Sequence, residues 1–250
     1  MSLFMFFHHR RPPTMTLEAE WKPFSLTYVE YPVGDGLGAL FAATSLCPII
    51  LSIMHATWFL QARDLHTLCF GVGVILNYIL NLFLKITIQE LRPQPTWRNP
   101  SHHWQQYGMP STHAQFMAFY SCYLFLFVAL RLPYEGRTRE RVWKGLFLVM
   151  NFASAFLVMY GRIYLAYHTV EQVFYGCLIG MLLSYAWFCL VDHIFTPWFP
   201  WLASTQICEL FLIRDLTYIP NVIWFEYWQA KNEGIKRMKS SLKRKKAKRI

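Results

Sequence analysis

The sequence predicts an all-α fold, a polytopic transmembrane helix bundle of about five spans, from two features of its composition. Hydrophobic residues make up 55% of its 250 residues and charged residues only 15%, whereas roughly 25% of residues are charged in an average soluble domain. The apolar residues are also concentrated in stretches that lack Asp, Glu, Lys and Arg, and a helix needs about 20 such residues to cross a bilayer. These stretches are too long for core strands and show no strict alternation, so helices are predicted.

The predicted spans follow one another closely, which favours a single compact bundle. They are Gly36–Leu60, Leu65–Leu84, Ser111–Leu130, Gly145–Gly161 and Val173–Val191. The fourth is short, and we expect its helix to continue through Arg162 toward Tyr167. The cysteines lie mostly within these stretches, at spacings that indicate neither a disulfide framework nor a zinc site.

The spans divide the chain into four segments. We expect an N-terminal lumenal segment at 1–35, the transmembrane bundle at 36–196, an interfacial aromatic segment at 197–230 and a basic cytosolic tail at 231–250. The third segment is rich in aromatic residues but is interrupted by prolines and charged residues. It is therefore interpreted as interfacial, with a sixth crossing as the alternative.

Lysine and arginine are distributed unevenly over the two ends of the predicted bundle. Seventeen fall on the end that includes the basic tail, which alone holds ten, and seven fall on the other end. Cytoplasmic segments carry the excess of these residues, so the tail is predicted to be cytosolic. Because the tail accounts for nearly all of the net charge of +10, the basic composition gives little support to nucleic-acid binding.

Three groups of residues suited to phosphate chemistry fall on the predicted lumenal side. Lys85 and Arg92 are seven residues apart, almost two helical turns, at the end of span two. Taken alone, they could simply be cations that mark the membrane boundary. Ser111, Thr112 and His113 begin span three, and the free N–H groups of a helix start attract phosphate.

The third group lies between spans four and five. It consists of Arg162 and His168, with Gln172 one helical turn beyond His168. Arginine and lysine neutralise phosphate oxygens, while one histidine can attack phosphorus and another can transfer the proton. All three groups fall on the same membrane face, so together they predict a phosphoryl-transfer site.

These motifs resemble, in order, the three signatures of the type 2 phosphatidic acid phosphatase superfamily. The resemblance implies a phosphohistidine mechanism that uses no metal and no other cofactor. It implies that His168 is the nucleophile and that His113 is the general acid/base. The phosphoryl oxygens would be held by the remaining motif residues, which are Lys85, Arg92, Ser111, Thr112 and Arg162.

The sequence departs from the superfamily pattern at three positions. Thr112 replaces the usual glycine, and Gly161 replaces the usual serine. Gln172 stands where an aspartate normally orients the nucleophilic histidine. Its amide oxygen can accept a hydrogen bond from His168, but an amide does not stabilise an imidazolium as a carboxylate does. Glu171, one residue earlier, is the alternative for the orienting role.

Further segments resemble the dolichyldiphosphatases, one family of that superfamily. The resemblance extends over about residues 25–228 and includes the segments 28–35, 88–93, 107–111, 211–215 and 219–227. It implies hydrolysis of dolichyl diphosphate to dolichyl phosphate and phosphate, a step that recycles the lipid carrier of protein N-glycosylation. It also implies a multi-pass protein of the endoplasmic reticulum membrane, with this polyprenyl lipid and the membrane lipids as its partners.

Two alternatives to this function stay open at the level of sequence. One is a broader lipid phosphatase that acts on phosphatidate, on sphingoid phosphates or on another polyprenyl diphosphate. The other is a non-catalytic lipid-binding membrane protein that retains the fold.

Overall fold

The structure, a computed structural model, describes residues 21–24, 29–93, 106–132, 138–219 and 222–247. Within these ranges it contains one short β-hairpin, formed by β1 (Trp21–Phe24) and β2 (Val29–Pro32), and nine α-helices. The helices are α1 (Gly36–Thr44), α2 (Cys47–Ala62), α3 (Leu65–Ile88), α4 (Thr112–Leu126), α5 (Thr138–Tyr164), α6 (Val170–Leu190), α7 (Phe199–Ala203), α8 (Gln206–Phe211) and α9 (Val222–Ala247). Six of the lysines and arginines that define the charge distribution lie outside the described ranges, namely Arg10, Arg11, Arg98, Arg137, Lys248 and Arg249.

The prediction of a helical bundle with about five spans is confirmed. In the described part of the chain, five helical segments are long and apolar enough to cross a membrane. They run over Gly36–Ala62, Leu65–Ile88, Thr112–Arg131, Arg141–Tyr164 and Val170–Ala203. The second and fourth observed segments extend beyond the predicted ends because the charged residues Lys85 and Arg162 lie within the last turns of their helices.

The end of the fourth span and the start of the fifth differ from the predicted boundaries because of local backbone geometry. The fourth span passes Arg162 and stops at Tyr164, short of Tyr167, and Ala166 then takes a left-handed conformation with φ of 54°. The next helix starts earlier than predicted because Thr169 and Gln172 form a reciprocal capping box at its first turn.

The first span is interrupted between α1 and α2. Ser45 and Leu46 separate the two helices, and Pro48 occupies the first turn of α2, a position where its missing N–H costs nothing. Ser45 is buried at this break. Its backbone carbonyl and its hydroxyl are thereby presented to side chains of α4 and α5.

Helix α4 is the centre of the bundle. Half of its span is buried inside the protein, against 17–28% for the other four described spans. Its contact with α6 is especially close at Gly180, where an added Cβ would lie 2.4 Å from the Gln115 carbonyl oxygen. Small residues allow helix backbones to approach in this way within a membrane. The approach sets the position of the start of α4 relative to the start of α6.

The end of the bundle opposite the starts of α4 and α6 is held together by polar contacts. Arg131 pairs with Asp192, near the ends of α4 and α6. The Arg214 backbone N–H donates to the Arg63 carbonyl at 2.8 Å, and its guanidinium donates to Ala62. This end carries more lysines and arginines than the other end and is the one predicted to face the cytosol.

The segment predicted to be interfacial contains two short helices, α7 and α8, followed by the long helix α9. Helix α9 runs without interruption across the boundary placed at residue 230, so aromatic residues such as Trp228 and the basic residues share one helix. Its start is tied to the bundle by the Arg214–Glu226 ion pair at 2.6 Å.

The hairpin was not predicted, because four-residue strands are too short to show a clear alternation. Its strand β2 contributes Val29 to a buried cluster with Phe41, Ala42, Leu165 and Tyr167. The backbone N–H of Glu30 also donates to the Tyr167 hydroxyl at 2.8 Å. The hairpin therefore supports the connection between α5 and α6, which carries His168.

Candidate active site

The structure gathers all three sequence motifs at one end of the bundle. The end of α3 supplies Lys85, and the segment after it supplies Arg92. The start of α4 supplies the Ser111–His113 motif, while the end of α5 supplies Arg162. His168 lies in the connection that leads into α6. These residues form one site, which we call the phosphoryl site.

His168 lies at the centre of the phosphoryl site and is 3% exposed. The Arg92 Nη1 atom lies 3.5 Å from its Nε2 atom. Burial holds the pKa of His168 well below its usual range, and the nearby charges of Arg92, Arg162 and Lys85 lower this pKa further. The imidazole is therefore neutral at neutral pH, which is the form that can act as a nucleophile.

Gln172 is fully buried and contacts the other ring nitrogen of His168. Its Oε1 atom lies 3.1 Å from His168 Nδ1 and accepts from the Thr169 backbone N–H at 3.4 Å. Its Nε2 atom donates to Glu90 Oε1 at 2.7 Å and to the Leu91 carbonyl at 3.0 Å. Two acceptors on one side and a backbone donor on the other fix the orientation of this amide.

The orientation of Gln172 also fixes the tautomer of His168. Because Oε1 can only accept, Nδ1 of His168 must carry the proton. Arginine can only donate, so Arg92 is compatible with an unprotonated Nε2. The lone pair of His168 therefore lies on Nε2, beside the arginine. Glu171, the alternative orienting residue, is exposed.

Arg162 is 3% exposed and is held from two sides. Its Nη1 atom donates to the Ser45 hydroxyl at 3.1 Å, and its guanidinium lies 4.3 Å from the centre of the Tyr167 ring. Such stacking suits the planar guanidinium and fixes its direction. Its Nε atom is buried and has no hydrogen-bond partner among the described residues.

Lys85 is 1% exposed, and its Nζ atom donates to the Tyr107 carbonyl at 3.3 Å. Within the described residues, no carboxylate lies within ion-pair distance of Lys85 or Arg162. Lys85 and Arg162 are therefore two buried cations without a carboxylate partner in the described part of the chain, and their burial costs folding free energy unless an anion binds beside them. The pKa of Arg92 is lowered to about 10 by burial, which still leaves Arg92 charged at neutral pH.

The start of α4 presents three side chains with different contacts. Ser111 occupies the N-cap position of α4, but its hydroxyl makes no capping bond. The Ser111 Oγ atom is buried and has no partner among the described residues. Thr112 is half-buried and donates to Asn81 Oδ1 at 2.7 Å. His113 Nε2 lies 3.2 Å from the Ser45 carbonyl, so this nitrogen carries the proton and Nδ1 holds the lone pair.

A buried amide network beneath the site was not predicted. Asn81 donates to Gln115 Oε1 at 2.8 Å and to the Pro110 carbonyl at 3.2 Å, and Gln115 donates in turn to Asn77 Oδ1 at 3.0 Å. Asn77, Asn81 and Lys85 recur every four residues along α3. That spacing places them on one face of the helix and is the signal that could have identified the network.

Ser45, Tyr167 and Glu90 also contact site residues and were not predicted. Ser45 is embedded in an apolar stretch, and only the break between α1 and α2 brings it to Arg162. No sequence spacing relates it to α4 or α5. Tyr167 and Glu90, by contrast, lie within a few residues of His168 and Arg92, so their proximity to the motifs was available as a signal.

The arrangement is suited to transferring a phosphoryl group. It combines a neutral imidazole, which can act as a nucleophile, with buried cations and a buried hydroxyl at the start of a helix, which can stabilise charge on equatorial phosphoryl oxygens. In the described part of the chain, no group of three or more His, Cys, Asp or Glu residues could hold a metal ion.

Comparisons with known proteins agree with this chemistry. Residues 66–195 match the PAP2 superfamily. The chain is 43% identical to dolichyldiphosphatase 1 of Mus musculus over 90% of this chain and 94% of that protein. It is 32% identical to lipid phosphate phosphatase gamma of Arabidopsis thaliana over 84% of this chain and 91% of that protein.

Among solved structures, the chain is similar to a transmembrane PAP2-type phosphatidylglycerolphosphate phosphatase from Bacillus subtilis. The TM-score is 0.46 at 24% identity, over 64% of this chain and 75% of that one. The family assignment depends on the PAP2 match and on the identity over nearly the full length of the mouse protein. The chain belongs to the PAP2 superfamily and, within it, to the family of the dolichyldiphosphatases.

Proposed function

We propose that this chain hydrolyses dolichyl diphosphate to dolichyl phosphate and inorganic phosphate through a phosphohistidine at His168. The observation that carries the chemistry is the neutral, buried His168 imidazole surrounded by Lys85, Arg92 and Arg162. The lipid substrate is supported by dolichyldiphosphatase 1 of Mus musculus and of Homo sapiens, to which the chain is 43% and 42% identical over 90% of its length.

In the first step, the lone pair on His168 Nε2 attacks the terminal phosphorus in line with the bridging oxygen. The Nε2–P bond forms as the bond from phosphorus to the bridging oxygen breaks. The electron pair leaves with dolichyl phosphate. Because a phosphate monoester anion leaves more readily than an alkoxide, this step needs little protonation by His113.

The cations of the phosphoryl site stabilise the charge that spreads over the equatorial oxygens in the transition state. Arg162 and Lys85 are already buried and directed by Tyr167 and Tyr107, so they need little reorganisation when the substrate binds. The Ser111 hydroxyl, buried without a partner among the described residues, is a further donor for a phosphoryl oxygen.

In the second step, His113 activates the water that releases phosphate. Its Nε2–H donates to the Ser45 carbonyl, which leaves the Nδ1 lone pair to take a proton from water. The water oxygen then bonds to phosphorus, and the Nε2–P bond of His168 breaks. His168 recovers its lone pair, and inorganic phosphate leaves. His113 then passes the proton on Nδ1 to solvent, which restores its lone pair for the next turnover.

The test is phosphate release from dolichyl diphosphate by purified protein, with and without EDTA. We expect turnover by the wild type in both conditions, because arginine and lysine supply the positive charge. His168→Ala should remove essentially all turnover. His193→Ala removes an exposed histidine from the opposite end of the bundle and is the matched control. Loss of wild-type activity in EDTA, restored by magnesium, would contradict the mechanism.

A broader lipid phosphatase is the second candidate, favoured by the identity to the Arabidopsis lipid phosphate phosphatase gamma. The same protein should be assayed with phosphatidate, a sphingoid phosphate and a shorter polyprenyl diphosphate. We expect the diphosphates to be preferred because their leaving group is better. Equal turnover of phosphatidate would favour the broader activity, and no phosphate release from any lipid would favour a non-catalytic protein.

We further propose that the protein resides in the endoplasmic reticulum membrane with the phosphoryl site lumenal and the basic tail cytosolic. The support is the excess of lysine and arginine at the end of the bundle that bears Arg63, Arg131 and Arg214. A glycosylation acceptor inserted between Gln94 and Gln106 should be modified, whereas one added after Ile250 should not. Glycosylation of the added C-terminal site would contradict this topology.

A further inference from the structure

The superfamily's usual aspartate is absent beside the nucleophilic histidine. A carboxylate, that of Glu90, is instead hydrogen-bonded to the residue that contacts this histidine, Gln172. His168 Nδ1 donates to Gln172 Oε1 at 3.1 Å, and Gln172 Nε2 donates to Glu90 Oε1 at 2.7 Å. The chain of donors runs in one direction, from imidazole through amide to carboxylate.

We propose that Glu90 is a positioning residue that supplies, through the Gln172 amide, the negative charge that orients and stabilises His168. The inference rests on the proposed function. It assigns to Glu90 and Gln172 together the task that a single aspartate performs in the superfamily pattern.

The amide transmits the charge because its two ends are polarised together. A carboxylate that accepts from Nε2 of Gln172 repels electron density from Nε2 toward Oε1. Oε1 therefore becomes a stronger acceptor for the His168 Nδ1 proton. When His168 becomes phosphorylated its ring gains positive charge, and the stronger acceptor stabilises that charge. The benefit is therefore greater in the transition state than in the resting enzyme.

The position of Glu90 is fixed by its backbone. Its carbonyl accepts from the Gly108 N–H at 2.7 Å, and Leu91 forms an antiparallel bridge with Tyr107. A Cβ added to Gly108 would lie 2.4 Å from Gln172 Oε1. The glycine therefore allows the backbone at Tyr107 and Gly108 to pass directly against the Gln172 amide. We call the hydrogen-bonded series His168, Gln172 and Glu90 the relay. The Gln172 backbone carbonyl also accepts from the Ser111 N–H at 3.0 Å, which links the relay to the start of α4.

A simple return to aspartate at position 172 is not expected to improve the enzyme. Glu90 and the Leu91 carbonyl are both acceptors, and both lie on the Nε2 side of Gln172. A carboxylate in place of the amide would face two acceptors without a proton to share, at a cost typical of unpaired buried polar groups. Gln172 therefore fits this site because Glu90 is present.

The relay predicts that exchanging the amide and the carboxylate restores function. Glu90→Gln removes the charge but keeps the size, so kcat should fall about tenfold while KM stays within about twofold. Gln172→Glu sets two carboxylates against each other and should lower kcat further. The double variant Glu90→Gln with Gln172→Glu should recover kcat to within about threefold of wild type.

A structural hydrogen bond alone would also be restored by this exchange, so a second readout follows the charge. The pH dependence of His168 acylation by diethyl pyrocarbonate, detected by mass spectrometry of the modified peptide, reports the pKa of that ring without substrate. The cations that face the ring, Lys85, Arg92 and Arg162, are unchanged in all variants. His113, the other imidazole of the phosphoryl site, is also unchanged in every variant.

Relative to wild type, this pKa should fall in Glu90→Gln, because a negative charge is lost. It should rise in the double variant, because the carboxylate then contacts Nδ1 directly. Glu209→Gln, the same chemical change at an exposed glutamate far from the site, should leave kcat and the pKa unchanged. If Glu90→Gln folds poorly, the double variant decides alone, since it keeps the hydrogen bond.

Wild-type kcat in Glu90→Gln, or a pKa in the double variant no higher than in wild type, would overturn the role of Glu90. Failure of the proposed function is a different result, in which the wild type itself releases no phosphate from dolichyl diphosphate. In that case the acylation profiles still test the relay, because they need no substrate.

Discussion

The close approach of α4 and α6 at Gly180 should be sensitive to a single methyl group. In Gly180→Ala the added Cβ would lie 2.4 Å from the Gln115 carbonyl oxygen and 3.0 Å from the Phe119 nitrogen. Ordinary contact begins at 3.4 Å, so the helices must separate by about 1 Å. Overpacking of this kind costs about 1–3 kcal/mol of the free energy of unfolding.

The separation should also reduce activity, because α4 carries Ser111 and His113 while the start of α6 carries Gln172. A displacement of about 1 Å within a catalytic site can cost about 100-fold in rate. The assays are the thermal unfolding midpoint in detergent and the rate of phosphate release. We expect a midpoint several degrees lower and kcat reduced by at least about tenfold.

The matched control is Gly145→Ala in α5, where no heavy atom lies within 4 Å of the added Cβ. Alanine is the better helix former by up to about 1 kcal/mol, so this variant should be as stable as the wild type or more stable. A Gly180→Ala protein with wild-type stability and activity would refute the conclusion that helix proximity at this point sets the site geometry.

Three other predictions follow from the site. Ser111→Ala should leave stability unchanged, since the Ser111 hydroxyl has no partner among the described residues, and should lower kcat about tenfold through one lost phosphoryl contact. Equal activity would remove Ser111 from the site. Arg162→Lys should be strongly impaired, because a lysine cannot reproduce both the stacking on Tyr167 and the bond to Ser45. Between pH 8 and pH 6, His168 should lose less of its acylation rate than a free histidine does, because burial holds its pKa well below the usual value of about 6.5. A loss as large as that of a free histidine would contradict the lowered pKa.

Much of the fold followed from the sequence because membrane spans are defined by length and by the absence of charge. Those two properties gave five spans, and the motifs at their ends gave the phosphoryl site. The pair Lys85 and Arg92 could be recognised because the two residues are only seven positions apart, although α3 ends at Ile88 and Arg92 lies in the segment after it. The short hairpin was not accessible, since four residues carry too little pattern.

The contacts that refine the site depend on tertiary geometry. The sequence left Gln172 and Glu171 as alternatives for the orienting role, and only the direction of the first turn of α6 buries one and exposes the other. Ser45 reaches Arg162 because the first span breaks between α1 and α2. Glu90 reaches Gln172 across a segment that passes beside Gly108. Neither the Ser45–Arg162 contact nor the Glu90–Gln172 contact is encoded by spacing along the chain.

The central claim is that His168 becomes phosphorylated during turnover. The direct measurement is mass spectrometry of the protein quenched at alkaline pH after brief exposure to dolichyl diphosphate. We expect phosphate on Nε2 of His168 in the wild type and more of it in His113→Ala, where water activation is impaired. Turnover in the wild type with no phosphate on His168, in either protein, would contradict the account.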